Sequence, residues 1–236
     1  MRAVQSMILF AKRRPWAASL IAVMAVFLLN IARFAVWPPA SALARENPRT
    51  TAFMDYRKKQ WNDAGRTKAV IWTWKPLAAI SQNLRKAVVV AEDSTFWDHD
   101  GFDFKGMREA LSRNIKRMRL AAGGSTITQQ LAKNLYFSPK KSLVRKLQEA
   151  LVAKRLEMAL SKERILELYL NCVEWGDGIF GADAAARQYF GVSAAQLTSY
   201  QAATLAAMLP APLSRKPGSP IVRKAAGMIQ ARMRIE

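Results

Sequence analysis

Residues 17–29 are apolar or small without a break apart from Ser19, and the run resumes through Ile31, Ala32 and Phe34 to Trp37. Backbone in a bilayer must satisfy its own hydrogen bonds, so such a segment enters a membrane as a helix. At ~1.5 Å per residue, the span from Trp16 to Trp37 can cross a hydrocarbon core of ~30 Å. The two tryptophans bracket it like interfacial anchors, and Arg33 near the far end can snorkel. Lys12, Arg13 and Arg14 precede the span. The positive-inside rule then puts the N-terminus in the cytoplasm and the rest of the chain outside. A cleaved signal peptide is the rival, because Ala42-Leu43-Ala44 resembles a cleavage site. That site lies well beyond the apolar run and past Pro38-Pro39, so the expectation is an uncleaved anchor.

The 236 residues are enough for one core-forming domain plus an appendage, and 51% hydrophobic content excludes a disordered chain. Net charge is +20. Solvated helix faces are the bland explanation; nucleic acid, an anionic membrane surface or a phosphorylated substrate are the functional ones. The charge is uneven. Residues 105–164 hold 15 Lys/Arg against 4 Glu, and residues 1–50 hold 7 against one. One cysteine, Cys172, excludes an internal disulfide and a thiolate metal cluster, and it reads as a small buried hydrophobe. The sole histidine, His99, reads as a loop residue held by its neighbours rather than a zinc ligand.

Beyond a Pro- and Ala-rich linker, 38–49, the signals are helical. The run 70–74 is the only β-like stretch. Residues 78–92 place Leu84, Val88 and Ala91 on one face, and Asp103 can cap a helix running to about Lys116. Residues 117–124 are basic, then glycine-rich, and are expected to be mobile. Pro139 precedes a long helix in which Leu143, Leu147 and Leu151 recur at four-residue spacing. Ser161 caps another helix over 162–171, with Glu163 at its positive end. Thr198 and Gln201 form a capping box for a helix ending near Leu209, and 220–234 give a last basic helix.

Gly123 to Tyr136 carries the most chemistry. Thr126 and Gln129 have capping-box spacing, so a helix starts there with Gln129, Gln130, Lys133 and Asn134 in its first turns. So many donors suit a polar, anionic ligand, and the glycines before them suit the hinge of a mobile lip. Glu92 lies well before this platform and Glu149 soon after it. Glu92 ends an apolar helix, where burial and the helix C-terminus both raise a carboxylate's proton affinity towards that of a general base. An exposed helix-end Glu is the plain alternative. Glu149, with Arg145 and Lys146 one turn before it, could equally be part of a surface ion-pair ladder. A donor platform between two carboxylates is the outline of a site that acts on sugars.

Four blocks occur in one order: Glu92-Asp93-x-x-Phe96-x-x-His99-x-Gly101-Phe102-Asp103, then Gly124-Ser125-Thr126-Ile127-Thr128-Gln129-Gln130-Leu131-x-Lys133-Asn134, then Arg145-Lys146-x-x-Glu149, then Lys162-x-x-Ile165-Leu166-Glu167-x-Tyr169-Leu170-Asn171. Together they resemble the peptidoglycan glycosyltransferases, the lysozyme-like family that polymerises lipid II. The resemblance runs from about Trp61 to Arg234 and matches the monofunctional biosynthetic transglycosylases in type. The chain ends at Glu236 directly after the pattern, and the Ser-x-x-Lys string at Ser138 has no Lys-Thr-Gly to support a transpeptidase site.

The resemblance implies a mainly α fold: a lysozyme-like globular domain with a minor β element, preceded by one transmembrane helix. It divides the chain into a cytoplasmic N-terminus at 1–15, a transmembrane helix at 16–37, a linker and membrane-proximal segment at 38–60, and a glycosyltransferase domain at 61–236. It implies Glu92 as general base and Glu149 as a second essential carboxylate near the leaving group. Ser125, Thr126, Gln129, Gln130, Lys133, Asn134, Arg145 and Lys146 would bind sugar or pyrophosphate, with Asp93 beside them. No obligatory cofactor is implied; whether a divalent cation, Mg or Mn, assists the pyrophosphate through Asp93 stays open. Gln148 and Glu109 stand where some relatives carry basic residues. Implied partners are lipid II, the growing glycan strand and the membrane, with penicillin-binding proteins and divisome or elongation proteins as further candidates and no nucleic acid. The implied location is the inner membrane, single-pass, with a periplasmic catalytic domain. A lytic enzyme of similar fold, or an anchored non-catalytic scaffold, are the competing readings.

Overall fold

The computed structural model describes residues 13–106, 108, 124–140 and 142–235. Helix α1, Pro15–Ala32, begins with proline in its first turn, where a missing N–H costs nothing. None of its residues is buried, and its apolar side chains from Trp16 to Leu29 are exposed. Its 18 residues span ~27 Å, and it is the one helix among the described residues long and apolar enough to cross a membrane.

The α-helix stops at Ala32, short of the expected boundary at Trp37, and a tight turn follows over Arg33–Ala35. Phe34 in that turn is buried against Phe137, with ring centroids 5.0 Å apart. The anchor is therefore docked on the globular domain. Gln148 Nε2 donates to Asn30 Oδ1 at 2.6 Å, and Arg155 donates to the carbonyls of Phe34 and Val36 at 3.3 and 2.8 Å. Arg164 donates to the Leu43 and Glu46 carbonyls at 2.8 and 2.9 Å, so the linker is strapped down as well. Replacing Asn30 with Leu leaves the buried Gln148 amide without that acceptor. Differential scanning calorimetry in nanodiscs should then show a loss of ~1 kcal/mol. An unchanged melting temperature would mean that the anchor is not docked in this way.

The globule is helical. Its α-helices are Ala52–Asp63 (α2), Gln82–Glu92 (α3), Ile127–Tyr136 (α4), Leu143–Ala159 (α5), Lys162–Cys172 (α6), Ala182–Phe190 (α7), Ser199–Met208 (α8) and Pro220–Met233 (α9). Helix α2 begins inside the segment expected to be linker and membrane-proximal, 38–60, and runs past its end to Asp63. Its Phe53, Met54 and Trp61 are buried, and Arg57 makes a buried bidentate pair with Glu174 at 2.8–3.1 Å. The expected caps form: Thr126 with Gln129 on α4, Ser161 on α6, and Thr198 with Gln201 on α8. Asp103 Oδ1 accepts from the Gly106 N–H at 2.7 Å and residues 104–106 are helical. The expected continuation to Lys116 falls mostly outside the described residues. Of the basic, glycine-rich stretch after it, only Gly124 is described.

The β element is minor, as expected, but three short strands form it where one β-like run was read. Strands Ile71–Trp72 (β1), Glu174–Gly176 (β2) and Ile179–Phe180 (β3) form a sheet in the order β1-β3-β2, with β1 parallel and β2 antiparallel to β3. Strands β2 and β3 are two or three residues long and buried on both faces, so no alternation announces them. Gly178 joins them at φ +79°, and a Cβ there would come within 2.7 Å of the Trp61 ring.

Helices α8 and α9 pack on α3. Ala202, Ala203, Ala206 and Ala207 are all buried, and such small side chains allow close approach. Helix α4 sits between α5 and α6, buried through Ile127, Leu131, Ala132 and Leu135. This packing brings the C-terminus of α3, the N-terminus of α4 and the face of α5 together. Helix α5 departs from its pattern. Leu143 and Leu147 are 88% and 55% exposed, and the buried face is Gln148, Glu149, Val152, Ala153 and Leu156.

Candidate active site

Helix α3 ends at Glu92, and the next two functional positions follow from how the chain leaves it. Asp93 is buried, its carboxylate 2.9 and 3.1 Å from His99 Nε2 and accepting the Ile127 N–H at 2.9 Å. His99 Nδ1 accepts from the Gly101 N–H at 3.0 Å, so its proton sits on Nε2 and points at Asp93. Gly101 holds φ +91°, and its carbonyl accepts from Thr126 Oγ1 at 2.7 Å. Asp93, His99, Gly101 and Thr126 thus staple α3 to the start of α4. Lys162 reinforces the staple, donating to the His99 carbonyl and pairing with Glu157 at 2.9 Å.

The staple leaves Glu92 at the edge of a cavity of about 450 Å³ whose lining also takes Ser125, Thr126, Asp103, Lys105 and Arg232. Glu92 Oε2 accepts from Gln130 Nε2 at 2.8 Å, and among the described residues Oε1 has no hydrogen-bond donor. Burial raises the Glu92 carboxyl above the usual carboxylate range; the Gln130 amide and the charges of Lys133 and Arg215 oppose that rise. A half-buried carboxylate at a cavity wall, with one oxygen that no described residue donates to, can accept a proton.

Glu149 is 2% exposed. Arg145 pairs with its Oε1, and Lys146 Nζ stands 3.4 Å from Oε2. The partners are those of a surface ladder, but the burial is not. Lys146 also donates to Ser125 Oγ at 2.7 Å, which links this cluster to the cavity rim. Lys133 lies within the field of both carboxylates. Burial, then the charges of Arg145 and Lys146, lower its proton affinity, while Glu149 and Glu92 support it. Three cations around one buried carboxylate form a receptor for an anion that carries more charge than Glu149 alone supplies.

Four positions expected to touch ligand have partners inside the fold. Gln129 is buried, its Oε1 3.3 Å from the Thr126 N–H it caps. Thr126 reaches the cavity wall, but its hydroxyl serves Gly101 and Gln129. Asn134 is 3% exposed and donates to the Gln130 carbonyl at 2.8 Å. Asp93 is committed to His99 and Ile127, and among the described residues no group of three or more His, Cys, Asp or Glu could hold a metal. The donor set therefore does not fit a resident divalent cation, and no step below passes through one. Gln148, which stands where some relatives carry a basic residue, faces Asn30. Glu109 lies outside the described residues. Ser125, Lys133, Arg145 and Lys146 remain near the two carboxylates.

Some site residues went unread in the sequence. Tyr169 donates to Gln130 Oε1 at 3.0 Å, and Arg215 adds positive charge near Glu92. Tyr169 sits in the fourth sequence block, yet nothing local ties it to Gln130, 39 residues away. Arg215 follows the two prolines after α8 and carried no motif.

The model of the Transglycosylase family matches residues 61–234. The "Biosynthetic peptidoglycan transglycosylase" of Aromatoleum aromaticum is 48% identical over 193 residues, covering 82% of this chain and 82% of the relative. Its namesake in Nitrosospira multiformis is 46% identical over 189 residues, covering 79% and 82%, and that in Alcanivorax borkumensis 49% over 193 residues, covering 81% and 76%. With the family pattern spanning both carboxylates and the cations between them, the chain belongs to the transglycosylase family and is a glycosyltransferase.

Proposed function

We propose that this chain polymerises lipid II into peptidoglycan strands and carries no transpeptidase activity. The observation that supports it most is Glu92: a half-buried carboxylate lining the cavity, with raised proton affinity, one oxygen held by Gln130 and the other without a donor among the described residues. Glu92 takes the proton of the acceptor GlcNAc 4-hydroxyl. That oxygen forms a bond to the anomeric carbon of the donor strand. The bond from that carbon to the undecaprenyl pyrophosphate breaks, the pyrophosphate leaves with the electron pair, and the carbon inverts. Lys133, Arg145 and Lys146 meet the charge that develops on the leaving group, and Glu149 holds Arg145 and Lys146 in place for it.

Helix α1 suits a substrate that is itself a lipid, because enzyme and substrate share one surface. With Arg13 and Arg14 before the span, the N-terminus is cytoplasmic and the catalytic domain periplasmic, at the inner membrane. The reaction so written requires no cofactor. Penicillin-binding proteins, which cross-link such strands, are the partners this activity calls for, alongside divisome or elongation proteins. The direct test gives purified full-length protein fluorescent lipid II in nanodiscs and resolves the products on a gel. Lengthening strands are expected. Cleavage of preformed strands with no polymerisation would instead make the protein lytic.

A further inference from the structure

Tyr169 is fully buried on α6, and its hydroxyl reaches only the amide of Gln130 among the described residues. Burial keeps the phenol protonated far above neutral pH, so the hydroxyl remains a donor. That hydroxyl donates to the Gln130 amide oxygen at 3.0 Å and anchors that end of the amide. The amide NH₂ is then turned towards Glu92 Oε2 at 2.8 Å and the Ser125 carbonyl at 3.4 Å. A flipped amide would set oxygen against carboxylate on one side and leave the buried hydroxyl facing an NH₂ on the other. Glu92 and the Ser125 carbonyl, both acceptors, select the NH₂ end of Gln130, and Tyr169 anchors its oxygen end and so fixes the amide in place.

We propose that Tyr169 is a positioning residue for the reaction: it locks the Gln130 amide so that Glu92 keeps one oxygen held and the other free to accept a proton. The proposal rests on Glu92 as the general base. Other groups also face Glu92. Lys133 from α4 and Arg215 from the segment after α8 favour its ionised form, and Asp93 next to it opposes that form. These charges stay when Tyr169 is changed, so the amide contact can be isolated.

The experiment is the pH profile of kcat/KM for lipid II polymerisation by full-length protein in nanodiscs. Tyr169→Phe removes the hydroxyl and keeps the ring. Its acid limb is expected to move up by about one pH unit, because the carboxylate loses a donor and ionises less readily. At a pH on that limb the rate falls about tenfold, while KM changes by less than about twofold. Gln130→Met, which keeps bulk but neither donates nor accepts, is expected to shift the limb equally, and the double variant to shift it no further. A Tyr169→Phe limb that coincides with wild type, or effects that add in the double variant, overturns the proposal. If Tyr169→Phe does not fold, a Gln130→Met limb at the wild-type position overturns it. Failure of the base assignment looks different: Glu92→Gln would still polymerise.

Discussion

Protein carrying Glu92→Gln should make no detectable glycan strands, with polymerisation of labelled lipid II lowered by roughly 10²–10⁴-fold. The substitution keeps the shape of the side chain and an oxygen to accept from Gln130, but removes the base. Its effect on stability should run the other way. Burial raises the Glu92 carboxyl in the folded state. A carboxylate whose folded value is raised contributes stability only below its unfolded value, and that contribution is lost as pH rises through the folded value. Once ionised, above its raised folded value, the half-buried Glu92 is therefore a cost to the fold. Glu92→Gln removes it and should raise the melting temperature by ~2–4 °C, about 1 kcal/mol for a chain of this size. The gain should disappear in acid, where the wild-type carboxyl is already neutral. Below the raised value wild-type activity should also fade. A fully active Glu92→Gln would sink the assignment, and a variant that loses both activity and stability would show Glu92 to be a structural residue.

Local signals carried much of the fold and part of the site. Capping boxes at Thr126 and Thr198 and the Ser161 cap marked three helix starts, because their partners lie within one turn. Glu92 could be read from the sequence because the C-terminus of an apolar helix dictates its surroundings. Helix α5 shows where patterning fails. Its regular leucines suggested a buried stripe, but Leu143 and Leu147 are exposed and Glu149 is inside. Hydrophobic spacing cannot see that Glu149, paired with Arg145 and Lys146, shares the buried face with Val152, Ala153 and Leu156. Gln130 illustrates the same limit at the site. As a polar residue in a ligand-binding helix it looked like a substrate contact, and only the long-range meeting with Tyr169 and Glu92 turns it inward. The docking of Asn30 on Gln148 spans 118 residues and is equally invisible locally.

The largest loss of stability should come from the second carboxylate. Glu149→Gln leaves Arg145, at 15% side-chain exposure, without its buried anion, and it strips Lys146 and Lys133 of the same charge. Breaking a buried pair from one side costs ~3 kcal/mol, or ~6–12 °C in a chain this long. Lys146 is about half exposed, so most of that loss belongs to Arg145. The freed cations would repel one another and spread, carrying Ser125 with them through its bond to Lys146. Polymerisation should drop by about 10²-fold, since the groups we propose to receive the leaving pyrophosphate are no longer held. An added anion can take the place of the missing charge. Millimolar pyrophosphate should therefore raise the melting temperature of Glu149→Gln by more than it raises that of wild type. A thermal-shift series against pyrophosphate, with sodium chloride matched for ionic strength, makes the comparison. If activity vanished while the melting temperature and its response to pyrophosphate stayed at wild-type values, Glu149 would act on the substrate itself rather than through Arg145 and Lys146. The opposite signs expected for the two carboxylates separate their roles: Glu92 is held at the fold's expense, and Glu149 holds the fold's own cations in the place where an anion must be received.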